Sequence, residues 1–384
     1  MSTAERISSV PDRDVSAWSS LVAEPKEGPP DSFTLHAPLE LIARLRLLDL
    51  VESDSVEDAR DRLATLASTY SAAGASPGPA GNIKAADGAA ARNALARAIA
   101  DGDVELADAA ASWLAERCDG PTIAALLADT VVPSLAGAAH ASILLDQWRR
   151  SPRGALPGAP GLRSFSRELA RNPGWRLTWF EDRPRTGVGT GDLIERLRRP
   201  RPAGDPGSAF VHPVMHLTES SGLASEVLAD PLDGIEVGAA TAQLLRVAAW
   251  SMLQDDPVSA PYGWSHCLTL PQAVLGLAPM CGDPGDATAI AATYVLGFRS
   301  LLGTREIDPG WAPDDTDRAV ADIWHAPEDL VAPMVGRLAT FAACHPDAHL
   351  AKYTVACLDA STADPAAGRL YLAAAAFLGA WWRQ

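Results

Sequence analysis

Apolar residues recur along most of the chain at the three- and four-residue intervals of an α-helix. In residues 36–50, HAPLELIARLRLLDL, the side chains of Leu39, Ile42 and Leu45 form one stripe. The same spacing recurs in residues 56–73 and 89–102, and again through most of the C-terminal half. The alternating pattern of half-buried strands is nearly absent. The sequence therefore predicts an all-α fold.

Proline and glycine divide these helices. Pro133 interrupts the apolar stretch 120–150 and predicts two helices that meet there. Residues 173–184, PGWRLTWFEDRP, have the least helical pattern and are predicted to be irregular or a short strand. Because the helices on either side of them look alike, we expect one large multi-helical domain over residues 33–384. The polar, Pro/Gly-containing residues 1–32 are predicted to form a flexible N-terminal arm.

Composition and charge exclude several classes of protein. The 384 residues are 47% hydrophobic, yet no apolar run reaches the ~18 residues of a membrane span. A signal-peptide pattern is missing from the N-terminus, so we expect a cytoplasmic protein. A net charge of −16 argues against binding to nucleic acid or to anionic membranes. Five cysteines without a C-x-x-C pair argue against a disulfide framework or a thiolate zinc site.

Histidines carry the chemical signal. His140, His216, His266 and His349 stand among apolar neighbours on helical segments, where an unpaired imidazole is costly. Each could be a hydrogen-bonded core residue, but imidazoles converging from several helices also build interior metal sites. Nitrogen ligands suit Fe, Zn, Cu or Ni more than Mg or Ca. We therefore predict an interior histidine-rich metal site.

Two histidine pairs have the i,i+4 spacing that suits two ligands on one metal: His212 with His216, and His345 with His349. A proline follows the first histidine of each pair, so both pairs could equally be polar residues at a helix start. The sequence contains neither H-E-x-x-H nor E-x-x-H, which argues against a zincin and a ferritin-type di-iron site.

Lys352 is one of only three lysines and lies one helical turn after His349. It could extend to the surface and pair with Asp347 or Asp359. Alternatively it points inward, where burial lowers the pKa of a lysine and leaves a neutral, nucleophilic amine. Such an amine could act as a base, or react with carbon dioxide to form a carbamate. A carbamate would supply the anionic oxygen ligand that the histidines lack.

Five segments follow one another in a recognisable order. They are TLHAPLELIARLRLL, PSLAGAAHASILL, HPVMHLTESSGLASEVL, HCLTLPQAVLGL and DAHLAKYTVACLDASTADPAAGRLYLAAAAFLGAWW. Together they resemble the questin oxidase-like family over most of the chain beyond residue 32. The last segment, which resembles the family's D-x-H-x-x-K helix ending in L-x-A-W-W, is the most specific.

The resemblance implies oxidative ring opening of a polyketide-like aromatic or quinone, of Baeyer–Villiger or dioxygenase type. It implies ferrous iron and O₂, with histidines and a lysine-derived ligand on the metal, and His349 and Lys352 acting in catalysis. The matching positions, all candidate metal ligands, are His36, His140, His216, His266, His349 and Lys352. Six groups are more than one metal takes beside O₂ and substrate, so His36 or His216 is the first candidate for another role.

The chain departs from the family pattern at two places. The family's H-G-L-I-R helix reads HASILLDQWRR here, and the tyrosine after its H-P-x-I-H segment is replaced in HLTESSG. Asp146 or Glu219 could contact the substrate instead, or could be ordinary polar residues. We therefore expect an aromatic small-molecule substrate without assigning it to the anthraquinones.

Three functions remain open from the sequence. The first is the iron oxygenase, with a reductant such as NADPH acting from solution, because no Gly-rich dinucleotide fingerprint follows a strand. The second is a metallohydrolase, in which Zn²⁺ on the same histidines and carbamylated Lys352 activates water. The third is a non-catalytic helical binding protein whose histidines are polar core residues.

Overall fold

The computed structural model describes residues 12–151, 156–183, 185–187, 189–314 and 317–384. In these residues the chain forms a single all-α domain of eighteen α-helices and no β-strand, which confirms the predicted fold class. The helices are α1 (Asp12–Ala23), α2 (Ser32–Leu47), α3 (Val56–Ala72), α4 (Gly88–Asp101), α5 (Val104–Arg117), α6 (Gly120–Val131), α7 (His140–Arg150), α8 (Leu162–Arg171), α9 (Leu193–Leu197), α10 (Val211–Ser220), α11 (Leu223–Leu232), α12 (Val237–Gln254), α13 (Ser265–Leu277), α14 (Pro284–Leu302), α15 (Arg318–Trp324), α16 (Glu328–Cys344), α17 (Ala348–Ala363) and α18 (Gly368–Trp381).

The predicted interruptions agree with the structure in two places. The helical stretch around Pro133 is broken between α6 and α7. Within the predicted segment, residues 173–183 are irregular, with an isolated bridge from Arg176 to Ser134 and one 3₁₀ turn, Trp179–Asp182, while residue 184 lies outside the described part of the chain.

The predicted flexible arm over residues 1–32 requires a correction. Asp12–Ala23 forms α1, which packs against α3 and buries Val15 and Val22. These two residues, together with the buried Ser19, are spaced at helical intervals and so face one side of the helix. Residues 1–11 lie outside the described part of the chain.

Four helices, α2, α7, α13 and α17, lie at the centre of the domain. They pack against one another in the pairs α2–α7, α2–α17, α7–α13 and α13–α17. Most residues of each are buried, including on the sides that an amphipathic helix would expose. Each of these helices contributes one histidine to the interior.

Arginines of α2 hold it against the C-terminal helices. The buried Arg44 pairs with Glu40 and donates hydrogen bonds to the carbonyls that end α16. Arg46 forms a two-pronged ion pair with Asp359 of α17. These contacts fix α2 relative to α17, and therefore His36 relative to His349.

Across the described residues we found no helix with the length and apolar character needed to cross a membrane.

Candidate metal centre

Four buried histidines converge between the central helices. His36 comes from α2, His140 from the first position of α7, His266 from α13 and His349 from α17. Each is at most 8% exposed. The ring centroid of His36 lies 4.5 Å from that of His349 and 4.7 Å from that of His140. The ring centroid of His266 lies 5.0 Å from that of His349 and 5.2 Å from that of His140. The structure thus brings four of the five predicted histidine ligands into one cluster.

In three of these rings the Nδ1 atom faces a backbone carbonyl. The contacts are His36 Nδ1 to Ser32 O at 2.5 Å, His140 Nδ1 to Gly137 O at 3.0 Å and Ala138 O at 2.9 Å, and His266 Nδ1 to Tyr262 O at 2.6 Å. Because a carbonyl only accepts, Nδ1 must carry the hydrogen, and the neutral ring keeps a lone pair on Nε2. Metal-ligating histidines are typically held in this way.

The turn before α7 explains how His140 is oriented. Gly137, Ala138 and Ala139 all have positive φ, at 55°, 53° and 60°. Two successive alanines in this left-handed region are unusual, since the conformation costs on the order of 1 kcal/mol or more per alanine. The turn aims two carbonyls at the ring of His140, so local strain is coupled to the orientation of one histidine.

The Nε2 atoms meet without hydrogen atoms between them. His140 Nε2 lies 3.3 Å from His266 Nε2, and His36 Nε2 is buried without a hydrogen-bond partner. Nitrogen atoms of His36, His266 and His349 lie within 4.8 Å of one another. Two nitrogens on one tetrahedral ion are about 3.4 Å apart for bonds of ~2.1 Å. The nitrogens of these three rings would therefore have to approach one another by up to about 1.4 Å to share one ion.

The clustered histidines do not take up protons that could separate the lone pairs of neighbouring Nε2 atoms. Burial, and secondarily the charge of Lys352, hold the pKa of His140 and His266 well below the ordinary value. The same two causes lower the pKa of His349 to about 2. At neutral pH the four rings are therefore neutral, which is the form that ligates a metal.

Lys352 points inward, which decides between the two placements that the sequence left open. Its side chain is buried, and Nζ lies 3.4 Å from His140 Nε2. Burial lowers the pKa of Lys352 to about 7, although Asp347 and Glu40 act in the opposite direction. Asp359 pairs with Arg46 instead. The amine thus stands beside the imidazoles in a partly neutral form.

Asp347 fixes the beginning of α17. Its Oδ1 accepts hydrogen bonds from the backbone N–H groups of His349 and Leu350, at 2.7 Å and 3.4 Å. The same oxygen lies 3.3 Å from His349 Nδ1 without hydrogen-bond alignment, and because the ring is neutral the contact is not an ion pair. A carboxylate therefore stands behind His349, where the other three rings have carbonyls.

The four histidines line a cavity of about 1000 Å³. Its wall also includes the aromatic residues Phe33, Phe210, Tyr262 and Phe298, together with aliphatic side chains from α14 and from the segment before α10. A cavity of this size and mainly apolar lining is typical of small-molecule sites. A small molecule bound in this cavity would thus lie directly against the four histidines.

His216, predicted as a metal ligand, lies outside the cluster. Helix α10 buries Val214, Met215 and Thr218 and leaves His216 exposed, with its ring parallel to that of His212. His212 in turn stacks on Trp175 with 4.0 Å between centroids. Apolar sequence neighbours misled the prediction, because they lie on the other face of the helix.

The other sequence candidates also have structural partners. His345 packs against Trp382, with 5.0 Å between ring centroids. Asp146 pairs with Arg149 and Arg150. Glu219 accepts hydrogen bonds from backbone N–H groups at the start of the 3₁₀ turn Trp179–Asp182. These contacts agree with the ordinary structural roles that the sequence also allowed.

Sequence reasoning missed Tyr262 and the carbonyl partners of the three rings. Tyr262 precedes His266 by four residues, the spacing at which a carbonyl of one helical turn can reach a histidine ring. Ser32 has the same relation to His36. That spacing was the available signal, although it holds for every helical histidine and does not single these out.

No family model, curated protein or solved structure matches the chain.

Proposed function

We propose that this chain is a metal-dependent oxygenase that oxidises a small aromatic or quinone-like molecule. One observation carries the proposal: four buried imidazoles converge on the wall of a cavity of about 1000 Å³, with three of the Nδ1 atoms held by carbonyls. Core histidines that serve packing alone would use Nε2 in hydrogen bonds as well. His36 Nε2 has no such bond.

His36, His140, His266 and His349 would hold the metal. Ferrous iron is the proposed ion, because imidazole nitrogens suit it and because the resemblance to questin oxidase-like proteins implies it. When bound, iron supplies the activation of O₂. Zn²⁺, Cu²⁺ and Ni²⁺ also accept such ligands, so metal identity is part of the test.

Lys352 would complete this site as a carbamate. Its amine nitrogen forms a bond to the carbon of CO₂ and loses one proton, which gives an anionic oxygen donor. The position of Nζ, buried and 3.4 Å from His140 Nε2, supports this role. A positively charged ammonium there would instead repel a metal ion.

The other residues would bind the substrate and exclude water. Phe33 and Phe298 give the cavity apolar walls, and Asp347 holds the first turn of α17 and therefore the ring of His349. An aromatic substrate would lie against these walls with one edge toward the imidazoles. Incorporation of both oxygen atoms during C–C cleavage needs no further electrons. Baeyer–Villiger insertion of one oxygen atom needs two electrons and two protons, supplied by a reductant such as NADPH, and releases water.

A zinc metallohydrolase is the second candidate, since four neutral imidazoles suit Zn²⁺ equally well. In that case the ion would lower the pKa of a bound water, and the reaction would be independent of O₂. The cavity would serve the substrate in the same way.

The test begins with protein purified without oxygen and without added metal, followed by elemental analysis. We expect close to one iron per chain, and O₂ uptake when a dihydroxynaphthoquinone is added as a probe with NADPH. Stoichiometric zinc with hydrolysis that continues without O₂ would favour the second candidate. Wild-type protein that retains no metal after supplementation with Fe²⁺ or Zn²⁺ would overturn both and favour a non-catalytic binding protein.

We also propose that the protein works in the cytoplasm. All five cysteines are free, and reducing compartments keep thiols in this form. Cell fractionation followed by detection of the protein in the cytoplasmic fraction tests this placement.

A further inference from the structure

Exposed apolar side chains gather at the mouth of the histidine cavity. Among the described residues, the three most exposed large hydrophobic side chains are Phe210 at 76%, Val258 at 74% and Tyr262 at 56%. All three line this cavity. Single exposed hydrophobics are common on proteins, but a group around one opening indicates a binding surface.

Tyr262 differs from Phe210 and Val258 because its ring and its carbonyl both contact histidines of the cluster. Its ring meets the rings of His349 and Trp382 edge to face, at centroid distances of 4.9 Å and 6.3 Å. Its carbonyl accepts the hydrogen bond from His266 Nδ1. Tyr262 therefore touches two of the four histidines.

The backbone around Tyr262 and its hydroxyl group also restrict its orientation. The residue lies in a π-helical turn, Ala260–Trp264, immediately before α13. Such turns are rare and occur frequently at functional sites. The phenolic oxygen lies 3.5 Å from Asp347 Oδ2, at the outer limit of a hydrogen bond. The ring is thus held from both sides while more than half of the residue stays exposed.

The charged residues that line the cavity already have partners. Asp31 accepts hydrogen bonds from Thr34, Glu40 pairs with Arg62, and Asp347 caps α17. A charged ligand would have to compete with these pairs. Apart from the four histidines and a few serines, the remaining lining is mainly aromatic and aliphatic, which favours a neutral ligand with an extended apolar face.

We propose that Tyr262 is a specificity-determining residue that stacks against a planar aromatic ligand at the cavity mouth, with Phe210 and Val258 covering the rest of the ligand. The inference rests on the proposed function, since this ligand would be the substrate. An aromatic pair gains affinity beyond that of buried area alone, by a factor of roughly two to ten. Tyr262 would therefore distinguish aromatic from saturated molecules of the same skeleton.

The test compares the binding of 2-naphthol and decahydro-2-naphthol by calorimetry under anaerobic conditions. Both probes have two fused rings and one hydroxyl group, but only the first is planar and aromatic. We expect the wild-type protein to prefer 2-naphthol, Tyr262→Phe to keep the preference, and Tyr262→Leu to lose it by roughly two- to tenfold. Val258→Ala is the matched control at the same mouth, and it should weaken the binding of both probes about equally.

A preference unchanged in Tyr262→Leu would overturn the inference, as would wild-type protein that binds neither probe. Thermal unfolding of each variant verifies that it is folded. Metal content measured on the same samples separates this inference from the proposed function, because the substitutions keep the carbonyl that anchors His266. Loss of the preference in Tyr262→Leu, together with metal-free wild-type protein, would support stacking and overturn the oxygenase. An unchanged preference in Tyr262→Leu, together with iron in the wild-type protein, would overturn the stacking role of Tyr262 and support the oxygenase.

Discussion

His140 Nε2 and His266 Nε2 lie 3.3 Å apart, and both rings have their Nδ1 hydrogens directed at backbone carbonyls. Neither ring has a hydrogen left to place between the two nitrogens, and burial disfavours the addition of one. The amine of Lys352 can donate to one of these lone pairs but leaves the other unpaired. A shared cation would satisfy both lone pairs at once, and for this reason the pair supports the proposed metal site.

Replacement of His266 by phenylalanine should abolish tight metal binding. The substitution fills the space of the ring but removes one nitrogen ligand. Loss of a group that merely orients a ligand costs up to about 100-fold in affinity, so we expect at least a loss on the order of 100-fold here. Competition with a chromogenic chelator, with Fe²⁺ or Zn²⁺, measures the affinity.

The control for this experiment is His216→Phe. His216 is exposed and lies outside the cluster, so its replacement should leave the metal affinity unchanged. Equal losses in the two variants would contradict the assignment of the site, because an exposed histidine would then matter as much as a buried one.

Lys352→Met should remove the response of metal binding to carbon dioxide. Methionine has a similar length but no amine, so it cannot form a carbamate. For wild-type protein we expect metal affinity to rise with added bicarbonate, by roughly 10- to 100-fold at saturation, since an anionic ligand is gained. The variant should bind metal weakly at every bicarbonate concentration.

Carbon-13 NMR provides the independent measurement for Lys352. Zinc-loaded wild-type protein with labelled bicarbonate should show one carbamate signal that Lys352→Met lacks. If bicarbonate does not change the metal affinity of the wild-type protein and no carbamate signal is seen, Lys352 is a neutral amine beside His140 and not a carbamate.

Asp347 allows the role of a charge to be separated from that of a helix cap. Asp347→Asn retains an acceptor for the first N–H groups of α17, because asparagine caps helices as well as aspartate does. The negative charge beside His349 is lost, so we expect metal affinity to fall roughly 10- to 100-fold while the free energy of unfolding of the metal-free protein changes little. Asp347→Ala should lose the same affinity and also about 1 kcal/mol of stability. Chelator competition and urea unfolding measure the two quantities, and an unaltered affinity in Asp347→Asn would show that the charge has no influence.

The helices and part of the site were predictable because they depend on local spacing. An i,i+3 interval puts His349 and Lys352 on one face of any helix, whatever surrounds it. The break near Pro133 follows likewise from the missing N–H of proline. Helix α1 also had a regular apolar pattern, at Val15 and Val22, but it is short and lies among polar residues.

Relations between distant segments could not be predicted from spacing. The face of α10 that is buried depends on its contact with α14, and this contact leaves His216 exposed. The carbonyls that hold His140 come from a left-handed turn containing two alanines, which composition does not reveal. The position of Tyr262 at the cavity mouth depends on packing against His349 and Trp382.

The metal-free protein should lose stability steeply below about pH 6.5. In the unfolded chain histidines titrate near 6.5, whereas burial keeps the four clustered rings neutral to far lower pH. Below pH 6.5 the unfolded state therefore binds more protons, and each such histidine lowers the free energy of unfolding by about 1.4 kcal/mol per pH unit. For His349 this continues down to about pH 2, where the folded state also takes up its proton.

Because of Lys352, the free energy of unfolding should continue to rise with pH into the alkaline range. Its pKa is about 7 in the folded state, against 10.5 in the unfolded chain, so stability should also rise with pH between these values. Urea unfolding of chelator-treated protein from pH 5 to pH 9 measures both effects. His140→Gln should reduce the slope below pH 6.5 by about 1.4 kcal/mol per pH unit, and Lys352→Met should flatten the curve above pH 7.5. A free energy of unfolding that does not change between pH 5 and pH 6.5 in the wild-type protein would contradict the burial of neutral imidazoles. Stability is independent of pH only where the folded and unfolded states bind the same number of protons.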